Sequence, residues 1–429
     1  MQIIDQPIYI GTVGIISIER GGQVFVGYLF IVLILLGWFL GWIIKGWMPL
    51  GVLLIFSVIF FSSFTTLNID LLLKFLFLLT GLLLIFKGMV NFRLLVILLC
   101  LSILIYICSI YGDKYNNYYH FIDSLTAFAT FITGIIFYSL KLSGKDVVNL
   151  LKLISLLPII SLILGIPFSL FGLTDFFSRS GTAVGGVSVA TNLSFFGTLA
   201  TFSSVILEKK THDSRYNILK IVNFIIVCTT LTRGGILATL LILFPDIFSL
   251  LTKVLKSVRN IVLVFGGLTL GAVPVFILVR EISKRSFENG ELNTSGRLDA
   301  WKNILNLVNN SWTGNGYGSL KTLTDNPLLR AFTAAHNAYV QSYFETGVIG
   351  TILFIIILLI IFINTLKSNI LSHKYIVVAI ISFLTYSYTD NTIVNFRYWF
   401  VFMIILGCVA NPMIAASTEK SRSEDEKNF

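Results

Sequence analysis

Three residues of this 429-residue chain stand where their side chains are costly to keep unless they do something: Arg233, Arg297 and His336. Arg233 lies in TTLTRGGILATLL, apolar on both sides and with almost no loop to hold it. Ionisable groups near hydrocarbon are usually paired, cavity-facing or functional, and the planar guanidinium fork suits a phosphate or carboxylate. Gly234 and Gly235 let backbone come close to anything bound there. The competing reading is an arginine snorkelling to the headgroups.

Arg297 opens RLDAWKNILNLV, in which Leu298, Trp301, Ile304, Leu305 and Val308 recur at helical spacing. The positive end of a helix dipole disfavours a cation, so another role should explain it. Helix N-terminus and arginine together make an anion site, unless Arg297 is simply paired with Glu291 or Asp299 at the surface. His336 starts the run HNAYVQSYFETGVIG, with Asn337 beside it and Tyr339, Val340 and Tyr343 on its helical face. An imidazole takes a proton near neutral pH, which is what activation of a hydroxyl requires. A histidine merely hydrogen-bonded in a loop core is the alternative.

Arg179, in DFFSRSGTAVGG, is a further anion-binding candidate at the external end of a span. Lys284, Arg285, Lys302, Lys321 and Arg330 read as a solvated basic face attracting an anionic substrate, and Glu345 and Asp390 as carboxylates able to orient a base or a sugar. The chain lacks GxGxxG after a strand, GxxxxGK[ST], HExxH, GxSxG and DxD, so the usual handles for nucleotide, zinc, serine-hydrolase and metal-bridged nucleotide-sugar chemistry are missing. No cofactor and no metal is expected.

These residues must be positioned by elements dissolved in lipid. Charged residues make up 12% of the chain and hydrophobic ones 56%, against about 25% charged in soluble domains. That excludes an ordinary soluble enzyme, and it makes the net charge of +10 a matter of membrane orientation rather than of nucleic acid. Cys100, Cys108, Cys228 and Cys408 sit in apolar runs without a CxxC pair, which argues against both a disulfide framework and a zinc site. The N-terminal MQIIDQPIYIGTVG lacks signal-peptide features, so the first span is expected to direct insertion.

The pattern predicts an all-α polytopic membrane protein of about twelve or thirteen spans of roughly 20 residues. They are placed near 24–44, 48–66, 70–87, 94–111, 121–140, 147–171, 183–207, 217–232, 234–252, 260–280, 347–366, 375–388 and 398–411. Lys and Arg recur in alternate connections, which are therefore placed in the cytoplasm. The opposite connections, including Tyr388 to Asn395 and the long loop 281–346, then face outward. Residues 1–414 read as one membrane domain and 415–429 as a polar cytoplasmic tail. Within the loop, GNGYGS reads as a flexible turn-rich link, and AHNAYVQSYFETGVIG as a short helix leading into the next span.

In order and context, TLTRGG, SGRLDAWKNIL, GNGYGS and AHNAYVQSYFETGVIG resemble the O-antigen ligase and polymerase superfamily of bacterial envelope glycan assembly, over roughly residues 175–410. The resemblance implies a metal-independent membrane glycosyltransferase with a C-type bundle, in the bacterial inner membrane and with its active site facing the periplasm. Its donor would be a glycan on undecaprenyl pyrophosphate, and its acceptor a lipid-linked glycan or lipid A-core, with membrane lipids and a chain-length regulator as further partners. Arg233 and Arg297 align with arginines thought to hold the pyrophosphate, and His336 with the proposed base. Around Arg179 the chain reads SGTAVGGVSVATN where many relatives show an Asn-Pro-Asn type sequence, a departure that puts its role in doubt. The reading favoured is an O-antigen polymerase, with the ligase next. A lipid-linked glycan flippase fits the helix number, but not the gathering of candidates at the external edge.

Overall fold

The computed structural model describes residues 13–44, 46–59, 69–113, 121–171, 173–178, 183–254, 256, 280, 287–288, 291–292, 297–320, 335–367 and 371–410. Backbone polar groups in lipid are satisfied by helix, and the described residues are predominantly helical. In order the helices are α1 (Val13–Ile44), α2 (Met48–Ile59), α3 (Ile69–Phe86), α4 (Phe92–Asp113), α5 (Phe121–Tyr138), α6 (Gly144–Leu170), α7 (Ala190–Thr211), α8 (Arg215–Thr229) and α9 (Arg233–Val254). They continue with α10 (Arg297–Asn306), α11 (Ala338–Leu366), α12 (His373–Thr389) and α13 (Phe396–Ala410). Two antiparallel hairpins of two-residue strands interrupt them: β1 (Phe177–Ser178) with β2 (Ala183–Val184), and β3 (Phe287–Glu288) with β4 (Glu291–Leu292).

Among the described residues a helix occupies every expected span; the one expected at 260–280 and the tail 415–429 lie outside them. Seven of the described helices are long and apolar enough to cross a bilayer, and the protein is a multi-pass membrane protein. Side chains such as Phe86, Leu170, Phe171 and Ile122 point outward with three quarters or more of their surface exposed, as a lipid-facing wall requires. The span expected from residue 183 begins instead at Ala190, because Ala183 and Val184 pair with Ser178 and Phe177.

The centre of the bundle is α7 and α13, both buried along nearly their whole length. In lipid, close packing replaces the hydrophobic effect, and small or hydroxyl residues permit it. On α7 the hydroxyls of Thr198, Thr201 and Ser204 return to carbonyls one turn back, and Thr198 Oγ1 also meets Thr239 Oγ1 of α9 at 2.9 Å. On α13, Trp399 fills the notch left by Gly134 of α5 and donates from Nε1 to the Phe131 carbonyl at 3.1 Å. At the end expected to be cytoplasmic, Lys209, Lys220, Glu208, Asp246 and Tyr375 join α7, α8, α9 and α12 in one charge-balanced network.

Candidate functional site

The site assembles where α9 and α11 begin and α12 ends. Between α8 and α9 the chain turns within Thr230 to Thr232, with Leu231 in the left-handed region at φ 51°. This places Arg233 in the first turn of α9. A Cβ on Gly234 would collide with the Thr389 hydroxyl, and one on Gly235 with the Ser194 hydroxyl. Gly234 therefore lets the first turn of α9 lie against the end of α12, and Gly235 lets it lie against α7.

Arg297, at the start of α10, donates from Nη1 to the Thr389 carbonyl at 2.6 Å. Its described partner is thus the last carbonyl of α12, where a helix end carries excess negative charge, rather than a surface carboxylate. Trp301, one turn on, donates from Nε1 to the Ala335 carbonyl at 2.7 Å and packs edge-on against Tyr388, ring centres 5.5 Å apart. So α10 lies across the bundle, pinned at Thr389 and at the residue before His336.

His336 itself is held in the left-handed region, φ 47°, rare for a residue with a Cβ. Its neighbours keep it there. The Asn337 side chain caps α11, accepting from the N–H groups of Tyr339 (2.9 Å) and Val340 (3.1 Å), and its own N–H donates to Asn391 Oδ1 at 2.9 Å. The ring, about one-third exposed, has Nδ1 3.3 Å from Asp390 Oδ1. That carboxylate oxygen also accepts from the Asn391 N–H at 2.8 Å. With Nδ1 protonated toward Asp390, Nε2 is left with the lone pair and faces away from the carboxylate, the arrangement of an oriented general base.

The structure thus brings Arg297 and His336 together on one short segment, Thr389–Asp390–Asn391, with the residue after Arg233, Gly234, packed against Thr389. Asn337 and Tyr339 lie beside them, the first as the helix cap and the second with its hydroxyl donating to the Leu384 carbonyl at 2.9 Å. Arg179 lies outside the described residues, as do Lys284, Arg285, Lys321 and Arg330. Sequence reasoning did not single out Thr389 and Asn391, although the polar triplet TDN between two apolar runs was a visible signal.

The GNGYGS stretch is not a flexible link. Gly347 breaks α11 with φ 64° and ψ −165°, a conformation open essentially to glycine alone, and residues 311–318 fill the break. Val348 and Ile349 donate to the Ser311 and Trp312 carbonyls, and Asn315 and Gly316 donate back to those of Phe344 and Glu345, all at 2.9–3.1 Å. Gly314, Gly316 and Gly318 all have positive φ. Glu345, 4% exposed, receives Gln341 Nε2 at 2.9 Å together with the N–H groups of Gly318 and Leu320. Burial, and secondarily the Glu345 carboxylate, push the Tyr317 phenol upward, so it remains a neutral hydroxyl.

Residues 218–355 match the family model described as O-antigen ligase, and the match supports the O-antigen ligase and polymerase superfamily, with a ligase- or polymerase-type function, for this chain. It spans Arg233, Arg297 and His336 but ends before the Thr389–Asn391 segment that joins them. No curated protein matches the chain.

Proposed function

We propose that this protein is a metal-independent membrane glycosyltransferase that polymerises undecaprenyl-pyrophosphate-linked O-antigen, or related surface polysaccharide repeat units, on the periplasmic face of the bacterial inner membrane. The observation that carries the reading is the oriented pair His336–Asp390 placed one residue from the carbonyl that holds Arg297. His336 Nε2 takes the proton of an acceptor hydroxyl as its oxygen bonds to the donor's anomeric carbon. The bond from that carbon to the pyrophosphate oxygen breaks, and its electron pair leaves with the lipid pyrophosphate. Arg233 and Arg297 stabilise the growing negative charge in a site of low dielectric. Arg179 is proposed to extend the pyrophosphate site, with Asn337 and Tyr339 contributing to its glycan side.

The family description favours a second reading, an O-antigen ligase transferring finished polymer to lipid A-core. Gene deletion separates the two. A lost polymerase leaves core bearing a single repeat unit, and a lost ligase leaves bare core while long lipid-linked chains accumulate; repeat units trapped inside the cell would mean a flippase and overturn both. Transfer by purified His336→Ala at the wild-type rate would remove the assigned base.

A further inference from the structure

On a neighbouring face of α11, away from the Tyr339 side, lie two adjoining cavities. Their common wall includes Tyr317, Gln341, Glu345, Ile393 and Val394. The larger one adds Lys74 of α3 and Asp123, Thr126 and Thr130 of α5, while the smaller reaches Ala338, two residues beyond His336.

Gln341 is 7% exposed. Nε2 faces Glu345 Oε1 at 2.9 Å, and the N–H groups of Gly318 and Leu320 that also donate to this carboxyl mark it as the acceptor. Gln341 Oε1 consequently points elsewhere and has no hydrogen-bond partner among the described residues. A buried carbonyl left in that state is costly, and a hydroxyl donor entering the cavity would meet it. Glu345, by contrast, is occupied with three donors and serves to fix the amide and the Gly314–Leu320 loop.

We infer that this cavity seats a sugar unit of the acceptor glycan, with Gln341 Oε1 accepting one of its hydroxyls. This rests on the glycosyltransferase reading and deepens it. A sugar ring carries hydroxyls at its edge and C–H groups on its faces. The site offers Gln341, Thr126, Thr130 and Asp123 for the former, and the Tyr317 ring for the latter. A fatty chain would leave Gln341 Oε1 unmatched. Gln341 lies only about 5 Å along the helix axis from Ala338. A glycan seated there extends along α11 toward His336, while the donor pyrophosphate approaches from the Arg233 and Arg297 side of the Thr389–Asn391 segment.

The probe is the free repeat-unit oligosaccharide, released from the organism's own surface glycan by mild acid and therefore lacking both lipid and pyrophosphate. Saturation-transfer NMR on the full-length protein in nanodiscs should show transfer to the sugar protons. Gln341→Leu should weaken binding roughly tenfold, while Arg233→Ala leaves it within about twofold. Should Gln341→Leu fail to fold by thermal melt, Thr126→Val carries the same test, with weakening of about threefold. No transfer to the wild-type protein, or binding lost with Arg233→Ala and kept with Gln341→Leu, overturns the acceptor site. Absence of glycan transfer from lipid-linked donor by the purified wild-type protein would instead overturn the glycosyltransferase reading, whatever the sugar titration shows.

Discussion

Arg297 Nη1 donates to the carbonyl of Thr389 at 2.6 Å, one residue before the Asp390 carboxylate that meets His336. A bond to that carbonyl engages one nitrogen and leaves the rest of the guanidinium fork for a second acceptor. In the proposed mechanism the segment that orients the base also holds an arginine beside it, so that three consecutive residues serve both halves of the transfer.

If Arg297 binds the leaving pyrophosphate, its loss should appear in the chemical step. Arg297→Ala is expected to lower single-turnover transfer from lipid-linked glycan by about 10²–10³-fold, the range for removing one donor to a developing anion. Arg297→Lys keeps the charge but not the fork, cannot serve carbonyl and phosphate together, and should remain well below wild type. Full activity of the lysine variant would show that charge alone matters here.

His336→Ala should lower kcat by about 10²–10⁴-fold with little change in KM, as removal of a general base does. Asp390→Asn keeps the hydrogen-bonding shape but can present an N–H to the imidazole and favour the wrong tautomer. It should fall in the same direction by a smaller factor. Because Asn391 Oδ1 holds the N–H of Asn337 at 2.9 Å, Asn391→Ala should release the strained φ at His336 and depress kcat as well. The double variant His336→Ala/Asn391→Ala should be no slower than His336→Ala alone; additive losses would separate Asn391 from the base.

Gly347 tests whether the break in α11 is built in. Gly347→Ala sets a Cβ against the Trp312 carbonyl and the Gly314 N–H in a backbone conformation that costs of order 1–3 kcal/mol for other residues. The expected result is a lowered melting temperature in nanodiscs and loss of transfer, from a loop no longer seated between Phe344 and Val348. Gly88, with φ 70° and open space around its Cβ position, is the comparison: Gly88→Ala should carry the conformational cost alone.

Helices were legible in the sequence because lipid permits no other local solution, and long apolar runs announce themselves. The same physics hid the site. Arg233, Arg297 and His336 stood out as costly side chains, and Asp390 as a carboxylate able to orient a base. What holds Arg297 and His336 is largely backbone, the Thr389 carbonyl and the Asn337 N–H, which have no residue-type signature, whereas Gly234 and Gly235 were visible as points of close backbone approach. GNGYGS was misread as a loose link because glycines signal freedom locally, whereas here their positive φ values are demanded by residues 311–318 wedging into a helix break about thirty positions away in the chain. Short-range pattern carries no trace of that partner.

One buried ion pair stands apart from the proposed site and should prove purely architectural. Arg397, with its side chain 7% exposed at the start of α13, donates from Nη2 to Asp70 Oδ1 at 2.7 Å and from Nε to the Ser57 carbonyl at 3.0 Å, tying α13 to α3 and α2. Removing one member of such a pair leaves the other charge uncompensated, typically at about 3–5 kcal/mol, while removing both costs far less. Arg397→Met and Asp70→Asn should each lower the melting temperature sharply. The double variant should be more stable than Arg397→Met, since it no longer strands the Asp70 carboxylate. Its kcat per folded molecule should stay near wild type, because neither side chain contacts the Thr389–Asn391 segment in any described hydrogen bond. Loss of kcat in a double variant that folds and melts normally would move Arg397 from scaffold to site.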